Sequence, residues 1–215
     1  TKDFLTTGLI NSQMAWLYQK IFIENQVDID RYKRSMEYFR LAGHKRNEYS
    51  VASLLGQKYR STAQLDSAYH YLHMALDLAR EMEDSVALFH NYSLLASTYL
   101  IDEDYPHARA IALYIIRNHG TVPFSSETYH TLSRAYAMMG KADSARYYYE
   151  NIKKSSDPNS IHSQLKTLTE VLKAENNYQD AIHYSEQYRR LADSIIDESR
   201  RMDLYEIEQR YNNQR

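Results

Sequence analysis

Four segments of this 215-residue chain repeat one short pattern at an unchanging internal distance. Each carries Leu, a small residue, two variable positions and a Tyr or Leu, and nine residues later an Ala. The first is Leu55-Gly56 with Tyr59 and Ala68, the second Leu95-Ala96 with Tyr99 and Ala108. The third is Leu132-Ser133 with Tyr136 and Ala145, the fourth Leu168-Thr169 with Leu172 and Ala181. The leucines lie 40, 37 and 36 residues apart, and so do the alanines, so the offset of 13 residues from Leu to Ala is constant. Length therefore varies only after each Ala, where a helix and a loop absorb it. A degenerate earlier copy puts Phe22 and Ser35 in the Leu and Ala roles, followed by Phe39 and Ala42, which match Leu72 and Ala75 33 residues on. Self-similarity at such a period is the mark of a repeat architecture.

The residue types follow from helix geometry. Leu and Tyr at i and i+4 share one face of a helix. The small residue beside Leu lets a neighbouring helix approach, and the Ala sits where two axes cross, where a larger side chain pushes them apart. Breakers fall between the Tyr and the Ala, at Gly140 and at Pro106, so each unit is predicted to be two antiparallel helices. Asp66 and Asp143, two residues before their alanines, are placed to cap or charge-stabilise the start of a second helix. Asn118-His119-Gly120 and Ser156-Asp157-Pro158 read as breaks between pairs. A plain helical bundle also shows Ala/Leu/Tyr stripes, but it does not explain a constant offset in four copies.

Composition narrows the chemistry. With 5 Gly and 3 Pro, all-β folds and glycine-rich phosphate loops are disfavoured. The absence of Cys excludes disulfides, thiolate metal sites and thiol catalysis. A net charge of −2 gives no general attraction to nucleic acid or anionic lipid, and no direct nucleic-acid binding is expected. The longest apolar runs, such as Ile111 to Ile116, are too short to cross a bilayer. The chain opens on Thr1-Lys2-Asp3 without Met and is read as a segment of something longer. No G-x-S-x-G, P-loop, G-x-G-x-x-G or H-E-x-x-H motif occurs, so no enzyme activity and no cofactor are expected.

The repeat resembles the tetratricopeptide-repeat (TPR) family, over roughly residues 12–190. The family's leucine, small residue, tyrosine and crossing alanine occur in register four times. Its tryptophan position departs from the pattern, being Ala52, Tyr92, Tyr129 and Leu165, and its terminal proline is mostly absent. The resemblance implies an all-α, right-handed solenoid of about five antiparallel helix pairs with a long C-terminal helix. The array is expected over residues 1–192, with a capping or exit helix over 193–215. No Gly or Pro follows Ile161, so a helix from about Asn177 to the end is predicted. The run from Asp193 through Tyr205-Glu206-Ile207 to Asn212 resembles the exit helix of membrane-tethered regulators of the Bacteroidetes type. That resemblance implies a sensory region at the extracytoplasmic face of the inner membrane, reaching the membrane only through regions outside this segment, with a cytoplasmic location as the alternative.

A TPR resemblance implies a protein or peptide ligand in a concave groove lined by the first helices of the pairs. Taking positions two and five residues on either side of each repeat's leucine, the groove residues are Ser53, Gln57 and Arg60; His90, Ser93 and Ser97; Glu127, His130 and Arg134; Lys166 and Glu170. Ser50, Leu100, Ala137, Ser163 and Lys173 complete the set. A solvated helix face is the plainer reading of any one of them. The two-carboxylate clamp of TPR co-chaperones falls here on Ser53, Gln57, Leu94, Glu127 and Thr131, or one repeat later on Ser93, Ser97, Thr131, Ser163 and Thr167; both lack the cations that a clamp needs.

Asp66, His70, His73 and Asp77, spaced 4, 3 and 4, form the one stripe with metal-ligand spacing, and with it the one foothold for a metal-dependent enzyme. The stripe avoids the buried set Ala68, Leu72 and Ala75, so surface acid–histidine pairs are the favoured reading, and no metal is expected. Tyr147-Tyr148-Tyr149 spans about 200° of helix and must put an aromatic off the core face, which points to self-association as a homodimer. The leading functional expectation is a protein-binding sensory module of a membrane-associated bacterial regulator. A general adaptor or assembly scaffold is the alternative.

Overall fold

The computed structural model describes residues 3–21, 25–119 and 125–213. Phe22, given the Leu role in the degenerate copy, lies outside them, as does Gly120. The described residues form ten helices, in two compact units, Thr1–Asp102 and Glu103–Arg215. The division falls inside the second repeat, between its two helices.

The first unit holds α1 (Phe4–Ile21), α2 (Asn25–Leu41), α3 (Lys45–Ser61), α4 (Leu65–Glu81) and α5 (Ser85–Ile101). Each packs on the next, and α3 also touches α5. The turns from α2 to α5 are three residues each, 42–44, 62–64 and 82–84, short enough to force antiparallel neighbours. Leu55, Ala68, Leu72 and Ala75 are fully buried. The need for a small residue beside Leu55 is literal. A methyl added at Gly56 would sit 2.6 Å from Leu72 Cγ, where nothing fits without movement. In the degenerate copy, Ser35 is fully buried in the Ala role and turns its hydroxyl back onto the Tyr32 carbonyl at 2.8 Å. Phe39 is buried, but Ala42 is exposed in the turn after α2, so its match to the buried Ala75 does not hold structurally.

The second unit holds α6 (Tyr105–His119), α7 (Ser125–Met138), α8 (Ala142–Glu150), α9 (Pro158–Ala174) and α10 (Tyr178–Asn213). α7 packs on α6, α8 and α9, and α9 on α10. Ala108, Leu132 and Ala145 are fully buried, and Ala181 nearly so. Ser133, the small residue of its repeat, donates its hydroxyl to the Ala145 carbonyl at 2.7 Å, bonding α7 to α8 at the crossing itself. Asp157 caps α9 by accepting from Ser160 N at 2.8 Å, with Pro158 in the first turn, as the Ser-Asp-Pro break predicted. Pro106 starts α6 rather than ending a helix, because its missing N–H costs nothing in a first turn. Asp66 and Asp143 also lie in first turns but make no cap bond; the caps of α4 and α8 are Gln64 and Lys141, so the aspartates act through the helix dipole. α6 runs through Asn118 to His119, so these two residues of the expected break are helical. α10 runs unbroken for 36 residues.

Five turns share one design. Gly43, Ala63, Glu83, Gly140 and Asn176 all take a left-handed backbone, with φ between 52° and 70°. In each, that residue's N–H bonds the carbonyl three residues back and the following N–H bonds the carbonyl five back, as in Ala63 N to Arg60 O at 3.1 Å and Gln64 N to Tyr59 O at 2.9 Å. Only two of the five are Gly. A left-handed conformation costs an L-residue about 1–2 kcal/mol, against about 0.5–1 kcal/mol of extra chain entropy lost by Gly. Glu83→Gly is therefore expected to raise stability by about 0.5–1 kcal/mol, read as a higher urea midpoint with an unchanged slope. A lower midpoint would mean that the left-handed turn carries no strain.

Candidate functional site

The first helices of the pairs carry the predicted groove residues, and their two faces differ. In the first unit the face is formed by α3 and α5. Ser53 is buried and donates to Asn91 Oδ1 at 3.4 Å. Asn91, fully buried, donates to the Ala87 carbonyl, which also takes the Tyr49 hydroxyl at 3.2 Å. Ser93 is buried too. The Ser53 and Tyr49 hydroxyls bond α3 to α5, and Ser53 and Ser93, both buried, offer no surface to a ligand. Leu100 and Ala137 are likewise buried. Arg60 donates to Ser97 Oγ, whose own proton goes to the Leu94 carbonyl at 2.9 Å. Gln57 and His90 are half-buried.

In the second unit the face is formed by α7 and α9, which pack directly on each other. Arg134 grips Glu170 with two bonds, Nε to Oε2 at 2.6 Å and Nη2 to Oε1 at 3.1 Å. Such a bidentate pair fixes both side chains. One turn earlier, His130 Nδ1 lies 2.8 Å from Thr167 Oγ1. The Thr167 hydroxyl proton is already given to the Ser163 carbonyl at 2.8 Å, so its oxygen must accept and Nδ1 must carry the hydrogen. The neutral ring then holds its lone pair on Nε2. Lys166 is half-buried between these contacts, and Glu127 is exposed.

Charge on this face is strained in one direction. Burial, and then Arg134, push His130 down to about 4. Burial lowers Lys166, with Arg134 adding to the effect and Glu170 opposing it. Burial and Lys166 lower His162. Burial, then Glu103 and Glu170, raise the Tyr105 hydroxyl, placing it in the field of the Arg134–Glu170 pair. His162 stacks on Tyr188 at 4.4 Å between centroids. His162, Thr167 and Tyr105 were not among the predicted groove residues. The i,i+4 spacing of His162, Lys166 and Glu170 was the signal that would have found the first.

The His130 shift has a measurable consequence. An unfolded imidazole takes up its proton near 6.5, whereas the folded one stays neutral until about 4. The unfolded state thus binds more protons in that window, so this contribution is whole above about pH 6.5 and is lost as pH falls toward 4. With solvent partly reaching the ring, the loss is about 1–2 kcal/mol. Urea melts at pH 7 and pH 4.5 are expected to show wild type losing that much more than His130→Gln; equal losses would mean that the ring titrates normally.

The His70/His73 stripe lies on α4 in the first unit. Asp66, His70, His73 and Asp77 are all exposed. His70 and His73 line a shallow depression of about 390 Å³ with Glu48, Met74, Asp77, Leu78 and Glu81. Its carboxylates already have cations: Arg40 on Glu48 at 2.7 Å, Arg80 on Asp77 at 2.8 Å and Lys45 on Glu81 at 3.1 Å. Among the described residues, no three His, Cys, Asp or Glu side chains converge as a metal site. Among them, too, no helix is long and apolar enough to cross a membrane.

Comparison with known proteins places the fold. No family model matches the chain, and no curated protein does. Solved structures match along most of its length. A putative kinesin light chain of Podosopora anserina, built of nearly identical TPR-like repeats, is similar in a point-variant form with a TM-score of 0.65 and 16% identity, over 88% of this chain and 96% of that one. Aspartyl phosphate phosphatase F from Bacillus subtilis is similar with a TM-score of 0.64 and 12% identity, over 89% of this chain and 61% of that one. BtubC from P. vanneervenii follows with a TM-score of 0.52 and 15% identity, over 91% and 93%. The chain is an all-α TPR-like solenoid.

Proposed function

We propose that this chain is a non-catalytic module that binds a protein or peptide through the first-helix face of α7 and α9. One observation carries the reading: Arg134, Glu170, His130 and Thr167 are locked to one another across two helices while Lys166 beside them has no bonded carboxylate among the described residues. Polar groups fixed in advance on rigid helices bind without a large ordering cost.

The test places a photo-crosslinking residue at Glu127 and, separately, at Lys173, both exposed on this face, and at Asp66 on α4 as a control. The expected result is one and the same cellular protein captured from the two face positions, absent from the control, and lost when Arg134→Glu is added. Equal capture from all three positions would overturn the assignment of the face.

The finer reading, the sensory region of a membrane-associated bacterial signalling or transcription regulator, is supported by the continuous, charged α10 and by the resemblance of its sequence to a regulator exit helix. It requires that the gene encode an apolar span of about 20 residues beyond Arg215, followed by a kinase or DNA-binding region. A gene that encodes neither leaves a general adaptor.

A further inference from the structure

Resting on the reading of the α7–α9 face as a peptide-binding surface, we infer that its ligand presents an acidic side chain, with Lys166 as the anchoring cation for that carboxylate.

His162, Lys166 and Glu170 follow one another at i,i+4 and so form a single line along α9. Two contacts tie this line and its neighbour to α7: Thr167 to His130 and Glu170 to Arg134. Lys166 is thereby set into a fixed wall. Both oxygens of Glu170 are taken by Arg134, which leaves the Lys166 ammonium without a bonded counter-ion among the described residues. Burial first and then the Arg134 guanidinium disfavour its proton, the Glu170 carboxylate opposes them, and burial and then Lys166 lower His162 beside it. A half-buried ammonium beside a second cation is a site whose charge is relieved by one arriving anion.

The balance of charge sets the size of that anion. Arg134 and Lys166 face Glu170, with both histidines held toward the neutral form, so the cluster carries a surplus of about one positive charge. Glu127, exposed about one turn before His130 and two turns before Arg134 on α7, adds a negative charge at the margin. One carboxylate matches the surplus, whereas a polyanion meets repulsion from Glu127 and Glu170. The lone pair of His130 Nε2 supplies an acceptor suited to a peptide N–H beside the acidic residue. These residues are not those of the co-chaperone clamp: neither of its two registers on this chain includes His162, Lys166, Arg134 or Glu170, and the carboxylate here belongs to a side chain rather than to a chain end.

The experiment uses the whole chain, isotope-labelled for NMR, titrated with three probes: acetyl-Ala-Ala-Glu-Ala-Ala-amide, the same peptide with Gln in place of Glu, and inorganic phosphate. The blocked ends remove terminal charges. The Glu peptide is expected to move the Lys166 side-chain and the His130 and His162 ring resonances, and to bind about tenfold or more tightly than the Gln peptide. Lys166→Met, which keeps the length and apolar stem, is expected to lose about tenfold in affinity for the Glu peptide with an unchanged circular dichroism spectrum. Glu170→Gln, which releases Arg134, is expected to strengthen it. Equal binding of the Glu and Gln peptides overturns the acidic anchor while leaving the peptide face standing. So does undiminished crosslinking from Glu127 in the Lys166→Met variant. Phosphate moving the same resonances as strongly at equal concentration makes this a general anion site and overturns the peptide assignment. No response to any of the three overturns the inference outright.

Discussion

Lys58→Met should destabilise the chain by about 3–5 kcal/mol, because it strands a charge in the interior. Asp28 is 1% exposed and Lys58 13% exposed, and the ammonium bonds Asp28 Oδ2 directly. The second oxygen, Oδ1, is buried with no partner among the described residues. The pair sits beside the Tyr32 ring, 5.9 Å from the ammonium, and burial together with Asp28 pushes that hydroxyl up to about 12. Met keeps the stem of Lys58 but removes the cation bonded to the carboxylate. The double variant Asp28→Leu with Lys58→Met should recover most of the loss, since a buried ion pair replaced by apolar groups of similar size is often neutral or better. Urea melts of the three proteins decide the matter. A single-variant loss under about 1 kcal/mol would show that water reaches Asp28, and the buried character of the pair would be wrong.

Ala145→Leu should cost about 1–3 kcal/mol by overpacking. Ala145 is fully buried against Ala137 and Val171, with Tyr136, Tyr149 and Ala174 around them. Its carbonyl also receives the Ser133 hydroxyl, so a longer side chain forces α8 away from α7 and stretches that bond. Tyr147→Ala, at an exposed position two residues on, is the control and should change stability by about 0.5 kcal/mol or less. Thermal melts that leave Ala145→Leu unmoved beside its control would mean that the helix axes do not cross at this residue, and the repeat register would have to be redrawn.

Much of the fold was legible in the chain because a repeat states its rule several times. A constant Leu-to-Ala offset has one physical cause, a helix pair of fixed crossing, and Ala68, Ala108, Ala145 and Ala181 are all buried where that cause requires. The turns were only partly legible. Gly43 and Gly140 announce a left-handed residue, but Ala63 and Glu83 adopt the same backbone without announcing it. There, the paired bonds of the turn and the packing of the flanking helices outweigh local preference. Ala42 failed for the opposite reason: it matched by spacing, but α2 ends at Leu41.

The candidate site was legible as positions and not as chemistry. The offset rule put Ser53, His130 and Lys166 in equivalent places, two before the leucine of their repeats. The structure gives them three different lives: Ser53 is buried on Asn91, His130 is neutral on Thr167, and Lys166 is half-buried without a bonded carboxylate among the described residues. Spacing along one helix determines which side chains share a face, and that much the amino-acid sequence settled by itself. Which of them meets a partner, and which is left as an open charge, depends on the residue that the neighbouring helix brings opposite. That pairing comes from residues 36 or 37 positions away, as in Arg134 with Glu170 and His130 with Thr167, and only the packing of α7 on α9 decides it.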